Sequence, residues 1–346
     1  LHPQFVPRRD DRFDYSQPVD GAEPATDWQS PHALDELPHV LNPAGGWVMN
    51  TNNWPYSAAG QDSPSRDGYP RYMDTAGENF RGIHARRVLE GQKDFTLDSL
   101  QAAAFDSYLP GMAQIIPLLL RAYDALDTQD SQRPLLAEPV HTLREWNDRW
   151  SASSVATTLA SLWTDEIWSA AKLDPEAEGL AFYDQIVART TASDMLAALQ
   201  RVVDRLRNDF GDWRLAWGDF NRAQRLTGAI TQSFDDARPS VPIPFTSSRW
   251  GSLASFGARR YAGARKYYGT SGNSFVAVVE FGDRVKARAV SIGGESGNPA
   301  SIHFADQTSR YAEGQLRQVH FYPDELAGHT ESEYAPRVTP KRFGTR

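Results

Sequence analysis

The sequence predicts an α+β fold in which a helical lobe and a β-rich part occupy separate stretches of chain. Three observations carry this. Between Leu97 and Leu206, apolar residues recur at three- and four-residue spacings, the period of a helix with one buried face. From Ser274 to Ile292, two Val-rich runs flank Gly282-Asp283, which is the pattern of a hairpin. From Asn42 to Pro55 the chain reads N-P-A-G-G-W-V-M-N-T-N-N-W-P, with turn residues on both sides of the short apolar run Trp47-Val48-Met49. The hairpin and a strand at Trp47–Asn50 are therefore expected in one β layer. No repeat period is present, which argues against a solenoid.

Composition sets the outer bounds. A length of 346 residues suggests about two domains. The 16 Phe, 13 Tyr and 10 Trp are ample for a core. A net charge of −8 and a pI near 5.5 leave no basic footprint for nucleic acid. No apolar run reaches the ~18 residues of a membrane-spanning helix. Cys is absent, so this stretch has no disulfide, no Cys nucleophile and no thiolate metal site. The chain opens at Leu1 with nothing resembling a signal peptide, and the expectation is a polypeptide processed or cut from something longer.

In chain order, residues 1–60 are expected to give an extended segment and a strand. The stretch from Leu1 to Pro43 carries Pro3, Pro7, Pro18, Pro24, Pro31, Pro38 and Pro43 without a helical or strand period. Its aromatics, Phe5, Phe13, Tyr15 and Trp28, argue for a segment laid across a missing partner surface rather than for disorder. Residues 61–230 are expected to be mainly helical, after a loop from Ser57 to Gly77 that holds Asp62, Asp67 and Asp74. A helix is predicted over Phe80–Glu90. Another follows Thr96 as N-cap, with Leu97, Leu100, Ala104 and Phe105. Met112, Ile115, Ile116, Leu119, Tyr123 and Leu126 predict a helix that Pro117 kinks or splits in two. Val140, Leu143, Trp146 and Trp150 form a further stripe. Val155 to Ile167 follow a cap at Ser153 or Ser154, and Leu196 to Leu206 follow a cap at Ser193. The segment Trp213–Arg225 closes the lobe. Residues 231–346 are expected to return as strands, ending in helices, one of them from about Asp306 to Gly314. Ser274–Phe281 has the composition of a buried strand.

Several patterns invite chemistry. On a strand, Asn50 and Asn52 would share a face and Asn53 would point the other way. A carboxamide at a strand end can donate its N–H to a substrate oxygen without carrying charge. Asn is also a default turn residue, and the motif alone leaves both readings open. Gly294-Glu295-Ser296-Gly297-Asn298 lacks the closing Gly of a nucleophile elbow, and no Lys-Ser/Thr follows to make a phosphate loop. His303 and Asp306 have no evident third metal ligand and read as structural.

The block Asn42-Pro43-x-x-Gly46-Trp47-Val48-x-Asn50-x-Asn52-Asn53-x-Pro55 resembles a β-chain signature of the penicillin acylase family. That family includes penicillin G acylases, glutaryl-cephalosporin acylases and acyl-homoserine lactone acylases. A second block agrees: Gly272-Asn273-Ser274-Phe275-Val276-Ala277-Val278-Val279, then Gly293-Gly294-Glu295-Ser296-Gly297-Asn298-Pro299 and His303-Phe304-x-Asp306-Gln307. The resemblance runs to about Leu326. It implies part of a four-layer αββα N-terminal-nucleophile hydrolase core with a helical lobe inserted. In such enzymes a serine at the start of the β chain attacks an amide carbonyl, with its own α-amine, of pKa near ~8, as the base.

By resemblance, Asn52 supplies an oxyanion-hole carboxamide, while Arg81, Asn50 and Trp54 lie by the substrate. Asn273 stands where cephalosporin acylases place a glutamate that orients a histidine; an Asn there can accept a hydrogen bond but cannot stabilise imidazolium by charge. Asp74 is the nearest match to a calcium-binding aspartate, against the plain reading of a solvated loop carboxylate. No other cofactor is implied. Leu1 has no hydroxyl or thiol, so the chain is expected to be the C-terminal portion of a β chain, inactive alone. Its partners would be the α chain, the N-terminal part of the β chain and a small-molecule amide substrate, in a periplasmic or secreted setting. The lactones lead the β-lactams as substrates on the run Asn50–Gly60, N-T-N-N-W-P-Y-S-A-A-G. The other class of reading is a non-catalytic binding or structural domain that keeps the fold.

Overall fold

The computed structural model describes residues 5–74, 76–174, 179–330, 332–333, 335 and 341–342; Leu1 and Pro3 of the opening stretch lie outside them. Seven helices build the lobe: α1 (Phe80–Leu89), α2 (Leu97–Ala104), α3 (Pro110–Asp124), α4 (Gln132–Arg144), α5 (Val155–Ala170), α6 (Ala181–Arg189) and α7 (Ala192–Phe210). No strand is assigned among the described residues between Leu97 and Leu206. The stripes read from the sequence become its core: Met112, Ile115 and Leu119 of α3, Leu159 and Trp163 of α5, and Leu199, Val203 and Leu206 of α7 are buried together. The Trp163 indole donates to Met195 O at 2.9 Å, locking α5 against α7.

The caps refine the sequence reading. Thr96 accepts from Ser99 N at 3.1 Å and Ser154 from Thr157 N at 3.0 Å, as the capping rule predicts. The α7 cap, however, is Thr191 rather than Ser193. Thr191 and Asp194 form a reciprocal capping box, which starts the helix two residues earlier than the apolar stripe suggests. Pro117 does not split α3, which runs unbroken over 15 residues. Trp146 and Trp150 lie beyond the end of α4, so that stripe is helix followed by loop.

The chain leaves the lobe through α8 (Trp217–Phe220) and β1 (Asn221–Ala223), then runs through β2 (Val241–Pro242), β3 (Phe256–Arg260) and β4 (Tyr267–Gly272). These make a sheet in the order β2-β1-β4-β3, with β1 parallel to β4. The expected hairpin is β5 (Phe275–Glu280) with β6 (Lys286–Ser291), paired antiparallel from Phe275↔Ser291 to Glu280↔Lys286. After α9 (Thr308–Ala312), which is shorter than expected, β7 (Arg317–Gln318) adds to β6.

Two strand expectations change. Trp47–Asn50 joins no sheet; it is an extended segment held by one backbone bond, Met49 N to Ala58 O at 2.8 Å. The run is too short, and too closely bounded by turns, to make a ladder. β5 forms as an edge strand that buries only Val278; its Phe275 is 60% exposed, and Phe281, just past its end, is 85% exposed.

The opening stretch folds back on its own chain rather than lying only on a partner. Arg8 N donates to Ser30 O and His32 N to Val6 O. Arg71 donates to Asp11 O at 2.9 Å, and Tyr15 meets Tyr72 edge-on.

A buried polar joint fixes α1 to the rest. His84 is fully buried, with Nδ1 2.7 Å from Gly251 O and Nε2 2.9 Å from Asp106 Oδ1. Arg149 also donates to Asp106, at 3.1 Å. Burial works against ionising Asp106, but the hydrogen bonds from Tyr108 N, His84 and Arg149 hold its carboxyl below the usual range. A carboxylate so held stabilises the fold above its unfolded pKa, and that contribution is lost as pH falls through the folded value. Asp106→Ala should therefore lower stability by about 2–4 kcal/mol at neutral pH, because it leaves the buried His84 Nε2 without its partner and takes an acceptor from the partly exposed Arg149. In urea melts across pH, the gap to wild type should narrow as pH drops below about 4.

Candidate functional site

The asparagine block sits against the N-terminus of α1. Asn79 caps that helix, accepting from Gly82 N at 2.9 Å. The same side chain reaches into the loop: Nδ2 donates to Thr51 O at 3.1 Å, and Oδ1 accepts from Thr51 Oγ1 at 3.2 Å. Asn53 is buried beneath. Its Oδ1 accepts from Thr51 N at 3.1 Å, and its Nδ2 donates to Ser57 Oγ at 3.0 Å and to Glu78 Oε1 at 2.9 Å. Space here is tight. A Cβ on Gly82 would lie 2.1 Å from Glu78 Oε1 and 2.7 Å from Asn53 Nδ2, so any side chain there would have to push the Glu78 carboxylate and the Asn53 amide out of the clasp.

This clasp presents Asn52 on the surface. Asn50 Oδ1 accepts from Asn52 N at 3.0 Å, an Asx turn that replaces the shared strand face expected for the pair. Asn52 itself has φ of 61°, in the left-handed region that Asn tolerates better than most residues. Arg81, in the first turn of α1, donates from Nη2 to Asn52 Oδ1 at 2.9 Å. Guanidinium has only donors, so this bond fixes the amide's orientation: the oxygen faces Arg81 and Nδ2 faces away. Among the described residues, Arg81 forms no ion pair. Burial pulls its pKa down from the ordinary arginine range, as expected for a half-buried cation without a counter-ion. Asn52 and Arg81 together offer aimed donors and no negative charge, which suits a developing oxyanion or a carbonyl oxygen.

The remaining sequence candidates sit elsewhere. Trp54 lines a separate cleft of about 340 Å³ with Tyr15, Arg66, Tyr72 and Asp74. Its indole Nε1 is buried without a hydrogen-bond partner. Asp74 Oδ1 accepts from Ala76 N at 3.0 Å. Among the described residues, no group of three or more His, Asp or Glu gathers to hold a metal. Calcium takes six to eight oxygens, of which Asp74 would supply its carboxylate.

Asn273 lies on the sheet side, immediately after β4. Its Oδ1 accepts from both Ser255 N at 2.6 Å and Ser255 Oγ at 2.9 Å. Both lone pairs are thereby used, so the acceptor role expected of it toward a histidine is already taken; what it keeps is the Nδ2 donor. His303 Nδ1 lies 2.9 Å from Asp306 Oδ2 in an exposed loop, in keeping with the structural reading.

Sequence reasoning passed over Thr51, Glu78 and Asn79. The signal for Asn79 was present: an Asn directly before an apolar residue that opens a helix is an N-cap pattern. Its second role, bridging to a loop 28 residues away in sequence, has no local signature.

The fold and the comparisons converge. The penicillin amidase family model matches residues 1–328, and the chain belongs to that family. It is 25% identical over 355 residues to the penicillin acylase 2 proenzyme of Pseudomonas sp. (strain SE83), covering 92% of this chain. It also resembles the solved structure of a thermostable penicillin G acylase from Alcaligenes faecalis, with a TM-score of 0.52, 16% identity and 98% of this chain covered. The architecture is thus the α+β fold of the N-terminal-nucleophile hydrolases. The chain spans 42% of the length of the curated relative and 65% of that of the solved one.

The clasp makes opposite predictions for neighbouring asparagines. Asn53→Ala removes the bonds to Thr51 N, to the buried Ser57 hydroxyl and to Glu78 Oε1, and should lower stability by about 1–3 kcal/mol. Asn52→Gly keeps the left-handed backbone and removes only an exposed side chain, so its melting temperature should stay close to wild type. Thermal melts of the two variants check the contrast.

Proposed function

We propose that this chain carries the oxyanion-stabilising part of an amide hydrolase. The reaction is removal of the acyl side chain from N-acyl-homoserine lactones or from β-lactam antibiotics. The observation that carries it is the Arg81–Asn52 hydrogen bond. It turns the carboxamide so that its oxygen faces the arginine and its N–H is offered outward. The attacking serine and its α-amine belong, on this reading, to an upstream segment of the same precursor. The relative's description as a proenzyme and the partial coverage of its length support this. So does the β5 edge, whose exposed Phe275, Val279 and Phe281 are suited to a covering segment.

In the reaction, the serine hydroxyl adds to the amide carbon as the α-amine takes its proton. The carbonyl oxygen becomes an oxyanion, and Asn52 Nδ2 donates to it. Collapse expels the amine, which takes the proton back from the α-ammonium. Water then repeats the sequence on the acyl-enzyme. Arg81 contributes by holding Asn52 and by its positive field. The expected setting is periplasmic or secreted.

The test uses enzyme matured from its full precursor. Asn52→Gly is preferred to Asn52→Ala, because Ala at a positive φ adds backbone strain of about 1 kcal/mol to any catalytic effect. Asn52→Gly should lower kcat by about 10²–10³ with a modest change in KM, since the bond is made mainly in the transition state. Arg81→Gln should lower kcat in the same direction. Hydrolysis rates on acyl-homoserine lactones and on penicillin G, run side by side, distinguish the substrate classes. A folded Asn52→Gly enzyme with near wild-type kcat would remove Asn52 from the mechanism.

A further inference from the structure

A second polar site lies at the junction of the lobe and the sheet, away from Asn52. A cleft of about 200 Å³ is bounded by α5, by the segment from Thr246 to Trp250 and by the β3–β4 pair. It shares no lining residue with the Asn52 clasp. Three of the residues lining it each carry a buried side-chain atom without a hydrogen-bond partner: Ser161 Oγ, Asn221 Oδ1 and Thr246 Oγ1. Asn221 is fully buried and cannot turn to relieve this. Its Nδ2 is committed to Ile243 O at 2.9 Å and Phe245 O at 3.1 Å, which fixes the bare oxygen in place. Leaving a buried polar group unpaired is costly and rare in native structures.

Two opposite charges complete the lining. Asp165 of α5 and Arg249 face the cleft without a hydrogen bond or ion pair between them; they attract only through space. The Arg249 guanidinium lies flat on the Trp168 ring, 3.5 Å from its centroid, which orients its N–H edge. Asp165 is an exposed residue of the cleft lining. Trp217, Trp250, Phe256 and Met112 supply apolar wall.

We propose that this cleft binds a small amphoteric molecule of the free α-amino acid class. Its carboxylate meets Arg249, and its ammonium meets Asp165 and the bare Asn221 oxygen. The charge arrangement selects this class. A simple anion would gain Arg249 but leave Asp165 and the Asn221 acceptor unpaired, and a simple cation would leave Arg249 unpaired. A net-neutral molecule with both groups satisfies donors and acceptors together. Size agrees: at ~30 Å³ per water, the space of about 200 Å³ holds roughly seven water-sized groups, which suits a small amino acid with its side chain against the aromatic wall.

The experiment is calorimetric titration of the purified chain with common L-amino acids. L-methionine, N-acetyl-L-methionine and L-methioninamide form one matched set, and acetate is the anion control. The proposal expects saturable binding of at least one free amino acid. Each singly blocked derivative should bind about tenfold or more weakly. Arg249→Gln and the isosteric Asp165→Asn should each weaken binding by a similar factor. Ser161→Ala, a milder change, should weaken it less while keeping the fold, as circular dichroism would show. Four results would overturn the proposal: no binding by any amino acid, equal binding of the blocked derivatives, binding of acetate alone, or unchanged affinity in folded Arg249 and Asp165 variants.

Discussion

The arrangement of the candidate site depends on one side chain doing two jobs. Asn79 satisfies the N-terminus of α1 and, through Thr51, fastens the asparagine loop to it. A helix N-terminus leaves backbone N–H groups without partners, and Asn79 uses that need to set the position of a distant loop. Asn53 and Glu78 then fill the space behind, and Gly82 permits the approach. Arg81 is thereby placed within reach of Asn52 because both are anchored to the same helical turn. The donor geometry is a consequence of capping, and a change in the cap would move loop and arginine relative to each other.

The helical lobe and the sheet serve as scaffold for two kinds of polar site. At α1, every buried polar group of the clasp has a partner, and the group left over, Asn52 Nδ2, faces outward. At the α5 cleft the balance is reversed. There the protein leaves acceptors and charges without mutual satisfaction, and the missing partners define the chemistry of what enters. The same rule, that buried polar groups seek hydrogen bonds, accounts for the paired network at α1 and makes the unpaired atoms beside the α5 cleft the exception.

The Val-rich β5 edge, with Phe275 and Phe281 in solvent, runs against the usual management of sheet edges, which favours charge, proline or a covering element. Its composition suits burial on two faces, and among the described residues no strand pairs with its outer edge.

The sequence by itself determined the helices and the hairpin. Apolar period and caps are local properties, and Thr96, Ser154 and the run Phe275–Ser291 announce themselves within a few residues. It also offered Asn52 and Arg81 as candidates, the first within the Asn42–Pro55 motif and the second by its place in the family resemblance. Local reasoning misplaced the start of α7, where Ser193 competes with a Thr191–Asp194 box, and it read Trp47–Asn50 as a strand because composition does not reveal whether a ladder partner exists. Only the tertiary structure decided which asparagine is buried, which way the Asn52 amide turns, and that Asn273 spends its acceptor on Ser255. Each of these depends on a partner distant in the chain: Glu78 for Asn53, Arg81 for Asn52, Ser255 for Asn273. A hydrogen bond fixes an amide only when its other half arrives, and that arrival is a matter of packing, which no local pattern encodes.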